Sequence, residues 1–126
     1  MPPPIQIDLK GRIPAKKNQR LIFAQKGRLM NIPSKNFRSW HQLAFMQIKG
    51  QFQGMVRPQK ITLAFRMPDN RRTDLSNKAE SVFDLLVDSG VIPDDCWQDL
   101  PHIEMLCLGV IRDNPGVSIT IFQKNS

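Results

Sequence analysis

Acidic residues are almost missing from the first half of this 126-residue chain: up to Arg66 there is Asp8 and no other. Tyrosine is absent altogether, and cysteine occurs twice, at Cys96 and Cys107. Two cysteines are too few for a disulfide framework in a domain of this size, and they fit a reducing compartment. With His102 they form C-x5-H-x4-C, which lacks the short paired spacing of a structural zinc site, so both read as ordinary cysteines. There is no long apolar run, basic amphipathic anchor or lipidation signal, and the start Met1-Pro2-Pro3-Pro4-Ile5 offers no signal peptide. These absences argue against a membrane partner and lead to the expectation of a soluble, cytoplasmic chain. The lack of tyrosine and of an aromatic-basic strand signature weighs against a small RNA-binding module. Glycine-rich phosphate loops, nucleophile elbows, internal repeats and low-complexity tracts are missing too.

What is present is charge of one sign, followed by charge of the other. The net charge of +7 and a pI near 9.9 favour nucleic acid as partner. From Met67 to Glu104 the acids outnumber the bases threefold, in a compact run Arg71-Arg72-Thr73-Asp74-Leu75-Ser76-Asn77-Lys78-Ala79-Glu80 followed by Pro93-Asp94-Asp95. A basic half ahead of an acidic cluster suits an enzyme that grips a polyanion and sets a divalent metal against it with a few carboxylates.

Hydrophobic patterning predicts one α/β domain with a mixed sheet and two main helices. Residues 5–9 alternate as a half-buried strand does, and Gly11 with Pro14 ends it. A basic loop leads into two short extended segments around a turn at Lys26-Gly27-Arg28. Ser34 is the expected N-cap of a helix over residues 35–49, with Phe37, Trp40, Ala44 and Ile48 on one face. Residues 61–67 read as a strand. A second helix over residues 75–89 carries Leu75, Ala79, Val82, Phe83 and Leu86 on one face and ends at Gly90. Strands over residues 103–111 and 117–122 are expected to close the chain as a hairpin around Asp113-Asn114-Pro115-Gly116. His41 stands alone, as a helix-surface or partly buried histidine.

Asp74 falls at the mouth of the second helix, where peptide N–H groups can hold a carboxylate; position alone makes it an N-cap. Its neighbours, Arg71 and Arg72 before it and Asp94-Asp95 beyond the helix, point to a site. For Asp95 to meet Asp74, residues 91–93 must double back along a helix about 20 Å long. Ser76 and Glu80 are spaced i, i+4 and share a face. Hard oxygen ligands of this kind prefer magnesium or manganese to zinc.

The run Arg71-Arg72-x-Asp74-Leu75-x-Asn77, then Phe83-Asp84-x-Leu86, then Gly90-Val91-Ile92-x-Asp94-Asp95 resembles the RusA-type Holliday-junction resolvases, small dimeric endonucleases common in phages and prophages. Ile13-Pro14-Ala15-Lys16-Lys17-Asn18 is similar to that family's basic loop after the first strand. The resemblance covers most of the chain and implies a single RusA-like endonuclease domain over residues 1–126, in a bacterial or phage-infected cell. It implies that Asp74 and Asp95 are metal-binding catalytic aspartates, with Asp94 beside them and magnesium or manganese as cofactor. It also implies a homodimer acting on four-way or related branched DNA. Two positions depart from the pattern. Ser76 stands where the family's third aspartate does, and Glu80 where it often has a catalytic lysine. The expectation is that Glu80 takes over the carboxylate role lost at Ser76; the alternative is a degenerate site that binds branched DNA without cutting it. Lys16, Lys17, Arg20, Arg28, Arg71 and Arg72 are the candidates for contacts to the DNA backbone, which position the duplex without reading sequence.

Overall fold

The computed structural model describes residues 2–15, 20–25, 28–33 and 35–124, with the backbone alone over 20–25, 28–33 and at 35. In chain order the elements are β1 (Ile5–Lys10), β2 (Arg20–Gln25), β3 (Arg28–Pro33), α1 (Lys35–Gln51), β4 (Pro58–Met67), α2 (Leu75–Asp88), β5 (Ile103–Val110) and β6 (Gly116–Gln123). Four strands make a mixed sheet in the order β1-β6-β4-β5, and β2 pairs antiparallel with β3 as a separate hairpin. The chain is thus an α/β domain with a mixed sheet and two helices, as the patterning predicts. Ser34, the expected cap of α1, lies outside the described residues.

Period-two alternation decides which face of the sheet is buried. Ile7 and Leu9 of β1, Ile61, Leu63 and Phe65 of β4, and Val117, Ile119 and Ile121 of β6 are all inaccessible and share one core. The helices cover that face: Ala44 and Ile48 come from α1, and Ala79, Val82, Phe83, Leu85 and Leu86 from the 3.6-residue stripe of α2. Gly90, at φ 79°, supplies the left-handed turn that ends α2. The N–H groups of Val91 and Ile92 then donate to the Leu86 carbonyl, so the chain folds under the last turn of the helix.

The closing hairpin is a correction. β5 does not pair with β6; it runs parallel to β4 with α2 as the crossover, and β6 lies between β1 and β4, antiparallel to both. The edges of β6 are hydrogen-bonded on both sides, to β1 and to β4, and β4 takes the place that a hairpin would give to β5. Beyond Phe65↔Cys107 the register slips, so that Met67 meets Val110 and β5 carries one extra residue, a bulge at Leu108 and Gly109.

Asp8, the one acid before Arg66, is the partner of Arg66 itself. The Arg66 guanidinium is buried and donates to both Asp8 carboxylate oxygens (2.9 and 3.2 Å), to Ser118 Oγ (2.7 Å) and to the Asn114 carbonyl (2.7 Å). A side chain at Gly116 would collide with Leu9 and Arg66, which is why the strand begins on glycine. Met55 and Trp97 are exposed, whereas Phe52 packs against the core.

Candidate functional site

Beyond the end of β4 the chain turns at Pro68 and, from Asn70, runs exposed to the start of α2. Asp69 organises this loop. Its carboxylate accepts from Arg12 Nη2 at 2.6 Å and from the Arg71 N–H at 3.0 Å, with Arg71 Nη2 at 3.7 Å. The Arg12 hydrogen bond, and next the Arg71 N–H, hold the Asp69 carboxyl below its ordinary value of 3.8. Against this loop stands the segment that follows β1, and between them a cleft of about 220 Å³ is lined by Arg12, Ile13, Pro14, Asp69, Arg71, Arg72 and Lys78, among others.

Lys78 is the unusual member. It falls on the buried stripe of α2, only 6% exposed, and its Nζ donates to the Ile13 carbonyl. Burial, with the Arg12 charge behind it, pushes the Lys78 ammonium below its ordinary value of 10.5, opposed by Asp69. One turn on, Ser81 Oγ donates to the Pro14 carbonyl at 2.7 Å. The two side chains tie the segment entering the basic loop onto α2. Lys16 and Lys17, which follow that segment, lie outside the described residues, as do the side chains of Arg20 and Arg28.

Asp74 is the N-cap of α2 by backbone geometry (φ −89°, ψ 126°), yet its carboxylate makes no capping hydrogen bond. It accepts a long contact from Asn77 Nδ2 at 3.4 Å and is exposed. A neighbouring depression of about 560 Å³ is lined by Asp74 with Asp69, Arg71 and Arg72 on one side and Cys107, Gly109 and Val110 of β5 on the other. Arg71, Arg72 and Asp74 are therefore brought together. An exposed carboxylate that is not used as a cap, beside several cations, is free to bind an ion or a substrate group.

Asp94 and Asp95 are placed elsewhere. The Asp95 N–H donates to Asp94 Oδ1 at 2.8 Å within a tight turn that also returns the N–H groups of Asp99 and Leu100 to the Cys96 carbonyl. Asp99 meets Arg57, which immediately precedes β4, at 3.7 Å. Among the described residues, the group of potential metal-ligating atoms within 4.8 Å of one another is Asp94, Cys96 and Asp99, with neither Cys107 nor His102 in it. This turn lies at the start of β4 and β5, and Asp74 at their end. The 14-residue helix α2 runs between, so the two carboxylate sites stand about 20 Å apart within one chain. Residues 91–93 reverse the chain under the helix but do not return it to Asp74. Ser76 and Glu80 are both exposed on α2, and neither lines the two depressions. A magnesium site made of Asp74, Asp95 and Glu80 is thus not assembled by a single copy.

Sequence reading missed Arg12, Asp69 and Lys78. The signal was present for Lys78, a charged residue at the i−4 position from Val82 in an apolar stripe. Asp69 and Arg12 are 57 residues apart and carried no such mark.

Over 86 residues the chain is 26% identical to the crossover junction endodeoxyribonuclease RusA of Aquifex aeolicus (strain VF5), an alignment covering 67% of each chain. No family model matches. Among the described residues no helix is long and apolar enough to cross a membrane.

Proposed function

We propose that the chain is a metal-dependent endonuclease that nicks four-way junctions or related branched DNA. The observation that carries this reading is the Asp74 carboxylate, left without a capping bond in a depression that it lines together with Asp69, Arg71 and Arg72. The likeness to a protein named crossover junction endodeoxyribonuclease supports it. Arg71 and Arg72, both exposed, hold the phosphodiester backbone by charge, with Lys16, Lys17, Arg20 and Arg28 extending the track. Asp69 binds the Arg12 guanidinium and the Arg71 backbone N–H, which fixes the loop that presents Arg71 and Arg72.

Magnesium, or manganese in its place, is the proposed cofactor, with Asp74, Asp95, Asp94 and Glu80 as its proposed oxygen ligands. Such an ion polarises phosphate and activates water, chemistry that these side chains lack by themselves. The proposed product is a ligatable nick bearing a 5′ phosphate. Two such nicks in opposed strands call for a homodimer with twofold symmetry, and the setting is the cytoplasm of a bacterial or phage-infected cell.

A second reading is favoured by a specific observation, the separation of Asp74 from Asp95 within one copy together with Ser76 in place of a carboxylate. On that reading the chain binds branched DNA without cutting it. A labelled synthetic four-way junction incubated with magnesium, then with manganese, separates the two. Nicking that a chelator abolishes supports the enzyme; a bound, uncut junction in both metals supports the binding protein.

A further inference from the structure

Two cations are buried among the described residues, Arg66 and Lys78, and the chain treats them differently. Arg66 is answered in full: its guanidinium reaches both Asp8 carboxylate oxygens, Ser118 Oγ and the Asn114 carbonyl. Lys78 is not. Among the described residues the Ile13 carbonyl is the one acceptor that its Nζ reaches, and no carboxylate is in ion-pair contact with it. An ammonium carries three donors, so most of that capacity is left unused inside the chain. A buried charge without a counter-charge is unfavourable, and a bound anion relieves it.

The cleft of about 220 Å³ that Lys78 lines is cationic from three segments: Arg12 follows β1, Arg71 and Arg72 precede α2, and Lys78 stands in the first turn of α2. Against these stands one carboxylate, Asp69, already bound to the Arg12 guanidinium at 2.6 Å and to the Arg71 N–H at 3.0 Å. The lining therefore keeps a net positive charge after its internal pairing is complete. Buried Ile13 and Ala15 also line it, so water competes little at the Lys78 end, where a charge-assisted hydrogen bond is strongest. Donors that arrive from three segments need an acceptor with oxygens in as many directions. A planar carboxylate lacks them; a tetrahedral phosphate has them, and arginine and lysine both bind it. At about 30 Å³ per water, the volume is enough for such a group and its waters.

We infer that this cleft is a binding site for one phosphate group, with Lys78 as its buried anchor and Arg12, Arg71 and Arg72 around it. It is separate from the depression that holds Asp74: Asp74 is not on its lining, although the two share Asp69, Arg71 and Arg72. The state of the Lys78 ammonium agrees, since burial and then the Arg12 charge push it below 10.5, and a phosphate beside it pushes the other way. Inorganic phosphate, a strand-terminal monoester and a backbone diester all offer the same tetrahedral oxygens. The site itself does not depend on whether the chain cuts DNA. That a DNA strand supplies the phosphate rests on the nuclease reading, on which a strand reacting beside Asp74 sets a neighbouring phosphate in this cleft.

NMR of the full chain with isotope-labelled lysines, titrated with inorganic phosphate, tests the site. The Lys78 Cε signal, identified by its loss in Lys78→Met, should shift in a saturable way, and its titration midpoint should rise toward 10.5. Acetate at the same ionic strength should leave it in place. By calorimetry, Lys78→Met should bind phosphate on the order of 10- to 100-fold more weakly than the wild type, yet melt no lower in phosphate-free buffer, because an unpaired buried charge is gone. Arg72→Gln, at an exposed position where no packing is lost, should weaken phosphate binding by about two- to fivefold, and Arg38→Met, on the exposed surface of α1, should leave it unchanged. A Lys78 signal that phosphate does not move or that acetate moves as far, Lys78→Met binding phosphate like the wild type, or an equal loss with Arg38→Met would overturn the site. The source is read, with chelator present, from four-way junctions nicked in one arm, with and without a 5′ phosphate at the nick. A shift with both assigns a backbone diester, and a shift with the phosphorylated nick alone assigns a strand end. A signal that inorganic phosphate moves and neither junction moves would keep the site and count against the nuclease reading.

Discussion

At the β1 edge every described feature serves stability: two glutamines of α1 take up the outward backbone, and the lone early carboxylate is locked against a buried Arg66. At the opposite edge the same sheet leaves β5 exposed, and beside it lie an uncapped Asp74, two exposed arginines and a cleft with a buried lysine. The difference teaches where to look for function. Polar groups whose bonding is complete within the chain report on folding, and those left unmatched at an edge or a helix mouth are available to something outside it.

The largest expected effect lies on the unmatched side. Arg71→Glu combined with Arg72→Glu should weaken junction binding at low salt by on the order of 100-fold and reduce the salt slope by about two, one unit per lost phosphate contact. A titration series across salt concentrations reads both, while thermal stability should be unchanged. An unaltered slope would remove this pair from the DNA track and break the comparison on that side.

Next comes the matched side. Arg66→Met removes the guanidinium from the Asp8 carboxylate, which keeps the Ser118 hydroxyl and is partly exposed, so the loss should be about 2–3 kcal/mol, at the low end for a broken buried pair. Urea denaturation measures it, and junction binding per folded molecule should not move. Gln51→Ala removes two hydrogen bonds from the β1 edge and should cost about 1 kcal/mol by the same measurement. If Gln51→Ala also impaired DNA binding, the division between the two edges would be wrong.

The smallest effect is a titration. Asp69 has its carboxyl held below 3.8 by Arg12 and by the Arg71 N–H, so the stabilisation it brings is present above that value and lost as pH falls through the lowered one. Arg12→Ala should return the Asp69 carboxyl toward 3.8, read by carboxyl NMR shifts. Lys78 works in the opposite sense. Its ammonium is pushed below 10.5 by burial, so the cost of keeping it charged is present at neutral pH and is relieved as pH rises toward 10.5.

Much of the fold was legible because apolar periodicity writes burial directly into the chain. The α2 stripe of Ala79, Val82 and Leu86 and the alternation of Ile7 and Leu9 both fall where the structure buries them. The hairpin of β5 and β6 was misread because Asp113-Asn114-Pro115-Gly116 is turn chemistry whatever the partners of the flanking strands, and strand partners are chosen by burial across the whole sheet. β5 misleads for a related reason, since an apolar strand reads as central and is here the edge. That Arg71, Arg72 and Asp74 lie together was legible because they are near neighbours in sequence, and they line one depression. The 57-residue reach from Arg12 to Asp69 was not, because only the sheet brings the two segments together.

The central claim is that the Asp74 depression does the chemistry, and rates on one four-way junction and on a linear duplex of the same arm sequence test it most directly. With magnesium, the wild-type chain should nick the junction in opposed strands and act much more slowly on the duplex. Asp74→Asn should bind the junction as well or better while cutting it on the order of 10³-fold more slowly, because a carboxylate that repels phosphate and helps to hold the metal is gone. Its melting temperature should match the parent, since no cap hydrogen bond is lost and Asn caps as well as Asp. Glu80→Gln run alongside should fall as far if Glu80 replaces the carboxylate missing at Ser76. Cleavage by Asp74→Asn at the parental rate would contradict the account.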